Sequence, residues 1–399
     1  MKIRTLLTTI LALAFALAFV SGCAKTRKAG GQMDTPEVHY DQGMKYYNGG
    51  DFARAGREFE LSRTLDLKYA PAYAGLALCE GEKGRAAKDP KEKEKCFDKA
   101  EEHLDKAMDL SDGKLVAAWL AKGMIITMQH MADKDQDWVE DAIDAYDKVI
   151  NKLDKENSEA YYRKGWTLKW AYKFREAAEQ FKKVLDLKKD FTREADEQWK
   201  IMQDIERAAP GSKVGMRIAL IEKIGRADVA ALFVSELDVT RLIEKKRPKN
   251  YDTGFKAPAD ARALQADSVV KIEQIKDIKG HWAENFITDI VNLQVRGLEP
   301  YPDHTFQPDL LITRGEYAFM LEDILIAILR EEALATKYID GTASRFPDVN
   351  ASAPYYNAIC NMVDKNIMNA NINSEFEPGR SVSGTEALLA IRAMKELKK

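Results

Sequence analysis

The residues of this 399-residue chain with the widest chemical reach are four cysteines and five histidines. A metal site needs several such donors at spacings that place them on one face. His39, His103, His130, His281 and His304 pair with one another nowhere at ligand spacing. The chain has no His-Glu-x-x-His, no Cys-x-x-Cys, no Gly-x-Ser-x-Gly and no phosphate-binding Gly-rich loop before Lys-Ser/Thr. With 64 acidic residues, no carboxylate pair stands out. The pattern predicts a non-enzyme with no cofactor and no metal; the enzymatic alternative is a glycan hydrolase working through paired carboxylates. Cys79 and Cys96 fall on two neighbouring helical stretches. They are either a disulfide or two small buried apolar side chains. Cys360 is left over in both cases.

Arginine offers a different chemistry. Arg314 lies just inside a helix start, where a cation opposes the helix dipole. Thr313 before it can cap that helix, with Glu316 closing a capping box. The guanidinium is then either a ligand or a solvated side chain. A charge-assisted contact from such a group is worth about 1.5–3 kcal/mol.

These residues must be positioned by folded elements, and the composition provides for them. Apolar residues make up 45% and charged residues 31%, too apolar for a disordered chain and enough for two or three domains. Lys and Arg number 61 against 64 acids, a net charge of −3 that excludes the basic excess of a dedicated nucleic-acid binder. Lys2 and Arg4 precede an uncharged run of 15 residues, Leu6 to Val20. That is short for a membrane span of about 20 residues and suited to a signal peptide. The run ends in Val20-Ser21-Gly22-Cys23, which resembles the lipobox of bacterial lipoproteins. The resemblance implies cleavage before Cys23 and acylation of its sulfur and new amino terminus; the alternative is a secretory signal with an incidental cysteine. Ala24, rather than Asp, follows the cysteine. In a Gram-negative cell this implies an outer-membrane lipid anchor facing the periplasm, and in a Gram-positive cell the outer face of the only membrane. Losing residues 1–22 removes two bases and no acid, so the net charge becomes −5. Residues 23–36 read as the lipidated cysteine and a flexible tether.

Residues 37–190 repeat a two-helix pattern four times. Tyr161, Gly165 and Leu168 share one helix face, and Ala177, Phe181 and Val184 share the next. Gly43 with Ala55 and Phe59, and Gly123 with Ala142 and Tyr146, show the same alternation of small and large. One such hairpin cannot bury its apolar face alone, so neighbours must stack. The pattern resembles the tetratricopeptide repeat, which implies an all-α superhelix with a concave face for a protein partner. Tyr161, Tyr162, Trp166 and Trp170 are the partner-binding candidates there, with core packing as the alternative role.

The carboxyl-terminal third carries a duplicated pattern. From Asp277 it runs through His281-Trp282-Ala283, a helix, the Pro302-Asp303-x-x-Phe306-x-Pro308 loop and Ile312-Thr313-Arg314-x-Glu316. From Asp348 it recurs through Phe376, Pro378 and Glu386. It resembles the S-layer homology motif. Ile224-Gly225-Arg226-Ala227-Asp228 is a degenerate third copy, and the last copy reads Ser383-Gly384-Thr385-Glu386, without the arginine. Three units imply a pseudo-threefold helical domain whose grooves bind cell-wall glycan. Arg226, Arg314, Trp282 and Asp303 are the glycan-binding candidates by this resemblance, and Tyr355-Tyr356 take the place of Trp282 in the last unit.

The expected order is leader 1–22, anchor and tether 23–36, repeats 37–190, bridging helix and first unit 191–243, linker 244–270, second unit 271–334 and third unit 344–399. The expected function is a non-enzymatic envelope lipoprotein. It joins the lipid bilayer, through acylated Cys23, to peptidoglycan or an attached polysaccharide, and it recruits an unknown protein through the repeats. The alternative is a repeat-based assembly or secretion scaffold whose carboxyl-terminal units are only structural.

Overall fold

Short capped helices follow one another through most of the chain. Thr35 accepts the Val38 N–H ahead of Pro36, Asp51 accepts the Arg54 N–H, and Asn157 accepts the Ala160 N–H. The computed structural model describes residues 26–131, 136–243, 275–339 and 343–397. The expected leader, Cys23 and the 244–270 linker lie outside them. The described residues form sixteen α-helices and no strand, an all-α protein. Two bodies divide at Trp199 and Lys200, a little beyond the expected boundary at 190.

The amino-terminal body is four helix pairs: α1 (Pro36–Asn48) with α2 (Phe52–Leu65), α3 (Ala70–Ala86) with α4 (Pro90–Leu110), α5 (Val116–His130) with α6 (Trp138–Lys148), and α7 (Ser158–Trp170) with α8 (Phe174–Leu187). A glycine on the first helix of each pair receives an aromatic ring from the second. A Cβ on Gly43 would lie 2.5 Å from the Phe59 ring, on Gly123 2.5 Å from Tyr146, and on Gly165 2.7 Å from Phe181. Phe59 also fills the space over Gly75 of the next pair, so one fully buried ring ties neighbouring hairpins. The longer spacing of the second pair goes into longer helices, with only residues 87–89 between them.

Helix α9 (Thr192–Ala208) crosses the division between the bodies. The carboxyl-terminal body has three helix pairs. Segment I is α10 (Lys213–Ala219) and α11 (Arg226–Ser235), followed by the short α12 (Val239–Ile243). Segment II is α13 (Glu284–Asn292) and α14 (Arg314–Leu329). Segment III is α15 (Tyr356–Asp364) and α16 (Gly384–Leu397). The residue two before each second helix joins a closed triangle of backbone hydrogen bonds. Ile224 N–H donates to Val382 O, Val382 N–H to Ile312 O, and Ile312 N–H to Ile224 O, each at 3.0 Å. Three segments related in this way make the pseudo-threefold domain, and no edge of the ring stays unpaired. The buried Glu236 fastens segment I, accepting the Gly211 and Ser212 N–H groups and the Ser212 hydroxyl.

Candidate functional site

Each complete segment of the carboxyl-terminal body begins with an aspartate that holds a phenylalanine loop. Asp277 accepts the N–H groups of Phe306 and Gln307, both at 2.7 Å. Asp348 accepts those of Phe376 at 2.9 Å and Glu377 at 2.6 Å. Both phenylalanine rings are fully buried. His304 and Ser374 share a left-handed backbone near φ +64° and +63°, as do Gln307 and Glu377 at +53° and +59°. The loop geometry is therefore repeated while its side chains change.

These loops receive the arginines, and here the expectation of arginines facing a glycan groove is corrected. Arg226 is only 5% exposed and Arg314 6%. The Arg226 guanidinium donates to the carbonyls of Phe306, Gly297 and Glu299, each at 2.8 Å, and lies over the Tyr301 and Phe306 rings. Arg314 donates to Phe376 O at 2.7 Å and Asn369 O at 2.8 Å, and pairs with Glu386. Burial opposes the charge on both and pulls each guanidinium pKa downward, Arg314 to about 10. Fixed carbonyl dipoles offset that cost. Each arginine thus clamps the next segment. Thr313 and Glu316 form the expected capping box.

Segment III has no arginine because it has no room for one. A Cβ on Gly384 would overlap the Ile218 carbonyl. Gly384 N–H donates to Ile221 O, and the Thr385 hydroxyl to Ala219 O, both at 2.8 Å. The carbonyl end of α10 meets the N–H end of α16, so the two helix dipoles attract. The third interface is sealed.

The exposed chemistry lies elsewhere. Trp282 is 44% exposed, and the Arg217 guanidinium stacks over its ring at 3.9 Å. His281 lies beside it, 3.8 Å from the nearly fully exposed Asp309. An aromatic face with a cation and a carboxylate near it fits a sugar, whose C–H faces stack and whose hydroxyls need polar partners. Arg217, from α10, belongs to no part of the repeated pattern and was missed in the sequence. The N-cap positions of α13 and α15 align Ala283 with Tyr355, so Pro354 takes the place of Trp282. Asp303 accepts the Thr305 N–H and hydroxyl and so builds its own turn; these hydrogen bonds hold its carboxyl below the usual range.

A second concave surface lies in the amino-terminal body. A groove of about 1020 Å³ is lined by Tyr162, Trp166 and Trp170, with Tyr40 and Met124. Thr127 and Thr167 meet on its lining at 2.7 Å. Three of the four predicted partner-binding aromatics are therefore together. Tyr161 is not among them; it packs against the cluster of Leu120, Tyr146 and Val149. Of the two readings of Cys79 and Cys96, the disulfide is not the one found: both thiols are free, Cys79 buried and Cys96 half-buried. The Cys79 sulfur lies 3.8 Å from the Cβ position of Gly56 on α2, whereas Cys96 is on α4. Burial pushes the Cys79 thiol up to about 12.

The described part of the expected flexible tether is clasped. Arg27 N–H donates to Thr64 O at 2.7 Å, and its guanidinium pairs with Asp34. His39 bridges Asp34 at 2.8 Å and Glu58 at 2.6 Å. Partial burial opposes the imidazolium, but the hydrogen bonds to Glu58 and Asp34 outweigh it and raise the His39 pKa. A raised pKa means that the clasp's stabilisation is complete below the ordinary value of about 6.5 and fades as pH rises through the folded value. The Gly30 N–H also donates to Asp34, at 2.6 Å, so in an NMR titration the Arg27 and Gly30 amide resonances should move together with His39, at a midpoint above about 6.5. A His39 midpoint at or below that value would show the clasp to be inert to pH.

Residues 274–318 and 345–388 match the S-layer homology domain. These stretches run from the loop-holding aspartate region into the first turns of the second helix of segments II and III. The chain thus carries two S-layer homology repeats, a module that binds cell-wall polysaccharide or peptidoglycan and associates with the cell envelope. No curated protein matches the chain.

Proposed function

We propose that this protein is a non-enzymatic envelope lipoprotein that joins a membrane to the cell wall. The observation that carries the reading is the closed three-segment domain, two segments of which match the S-layer homology domain, with the open Trp282–Arg217 platform on its surface. Acylated Cys23 supplies the membrane end. The tetratricopeptide-like hairpins recruit a protein through the groove containing Tyr162, Trp166 and Trp170. The glycan bound is peptidoglycan or a polymer attached to it.

The test is co-sedimentation of the purified chain with isolated sacculi. The chain is expected in the pellet, and Trp282→Ala is expected to weaken binding roughly three- to tenfold, the scale of one stacking aromatic contact. Trp282 is partly exposed, so this variant should keep its helical circular dichroism. A chain that stays in the supernatant, or a Trp282→Ala variant that pellets equally well, removes the glycan reading at this platform. The sealed Gly384 interface and the two committed arginines favour a second reading, in which the segments are structural and the repeats carry the function as a scaffold. The repeat region's partner would then still be recovered while sacculi recovered nothing.

A further inference from the structure

The groove of the amino-terminal body carries a charge imbalance that its sequence spacing hides. Both arginines that line it are neutralised from within. Arg85 pairs with Glu82 at 2.7 Å and Arg163 with Glu159 at 3.0 Å. Two further carboxylates line one end, Asp190 and Glu194. Asp190 is exposed, and the contact of Glu194 is Arg193, whose side chain is 82% exposed. A rim pair of that kind is worth little. Between these carboxylates in sequence is Phe191, stacked on Tyr162 with centroids 4.9 Å apart. The neighbouring Trp166 ring already holds one ammonium of the chain itself, Lys169 Nζ at 4.4 Å. Aromatic faces beside carboxylates attract cations twice over, through the ring quadrupole and through charge. The rest of the lining includes four methionines, which adapt their shape to apolar side chains.

We infer that this groove docks a cationic, amphipathic, extended segment of its protein partner, with lysine or arginine at the Asp190–Glu194 end and apolar side chains along the methionines. This rests on the partner-recruiting reading of the groove given above. An acidic segment meets two carboxylates and no uncommitted arginine of the lining, so like-charge repulsion rejects it.

The probes are two fluorescent hexapeptides, Lys-Phe-Lys-Leu-Lys-Phe and Glu-Phe-Glu-Leu-Glu-Phe, each blocked at both ends. Binding to the whole chain is followed by anisotropy at low and high salt. The lysine peptide is expected to bind more tightly, with the advantage shrinking as salt rises. The double variant Asp190→Asn, Glu194→Gln should weaken it about three- to tenfold, the scale of two exposed charge pairs, and relieve the repulsion that disfavours the glutamate peptide. Trp166→Ala should weaken the lysine peptide as well. Equal binding of both peptides, lost in Trp166→Ala but indifferent to the carboxylate variant, overturns the cationic preference and leaves the groove as a docking site. Binding that no variant affects, or no binding of either peptide, overturns both.

Discussion

Replacing Gly384 by alanine is expected to lower the stability of the carboxyl-terminal body by about 3 kcal/mol, at the upper end of what overpacking costs. Helix propensity alone predicts the opposite sign, since alanine is up to about 1 kcal/mol better than glycine within a helix. Packing wins because the obstacle is main chain. The new methyl would meet the Ile218 carbonyl and lie 3.2 Å from Ala219 Cα, and neither can rotate away as a side-chain tip can. Relief requires α16 to withdraw from α10. That stretches the Gly384–Ile221 and Thr385–Ala219 hydrogen bonds and strains the Ile224–Ile312–Val382 triangle. For a body of this size, 3 kcal/mol corresponds to a fall in melting temperature of roughly 6–12 °C. Gly379→Ala is the control, because nothing lies within 4 Å of its Cβ position; it should stay within about 0.5 kcal/mol of the parent. Gly384→Arg, which restores the repeated pattern, should be worse than alanine. Calorimetry of the whole chain decides it, and an alanine variant as stable as the parent would show that the interface yields freely.

The same glycine shows how far the sequence could be read. Spacing of small and large residues identified the hairpins, because Gly43, Gly123 and Gly165 meet Phe59, Tyr146 and Phe181 within one local pair. Capping at Thr313 was legible for the same reason: donor and acceptor are three residues apart. What Arg226 does was not legible. Its partners are backbone carbonyls 71–80 residues further along, and a carbonyl has no side-chain signature. An arginine at a helix start therefore read as a groove residue when it is a clamp. Arg217 was invisible for a related cause, since α10 contributes it from outside the repeated pattern. The sequence shows that segment III lacks the arginine but not why: Gly384 is what a close main-chain approach demands. Whether Cys79 and Cys96 pair stays open in the sequence because helix spacing fixes which helices are neighbours and not which way a side chain points; in the structure both thiols are free.

If Arg226 is a clamp, Arg226→Ala should cost stability before it costs binding. The guanidinium is the donor for three carbonyls, and charged hydrogen bonds are worth about 1.5–3 kcal/mol each without adding fully. A net loss of roughly 3–5 kcal/mol is expected, the range seen when one partner of a buried charged contact is removed. Arg226→Lys should recover little, because one ammonium cannot span three diverging carbonyls as the planar fork does. Arg314→Ala should cost less than Arg226→Ala. It leaves two carbonyls without their donor, and Glu386 keeps Arg380, whose guanidinium donates to both Glu386 oxygens at 3.1 Å. A glycan ligand without a structural role would behave in the reverse way, with unfolding unchanged and sacculus binding lost. Melting temperature and co-sedimentation, measured on the same preparations well below the transition, therefore separate the two roles. Trp282→Ala supplies the opposite signature, intact unfolding with weakened binding. An Arg226→Ala variant that melts with the parent would remove the clamp and return the arginine to the groove.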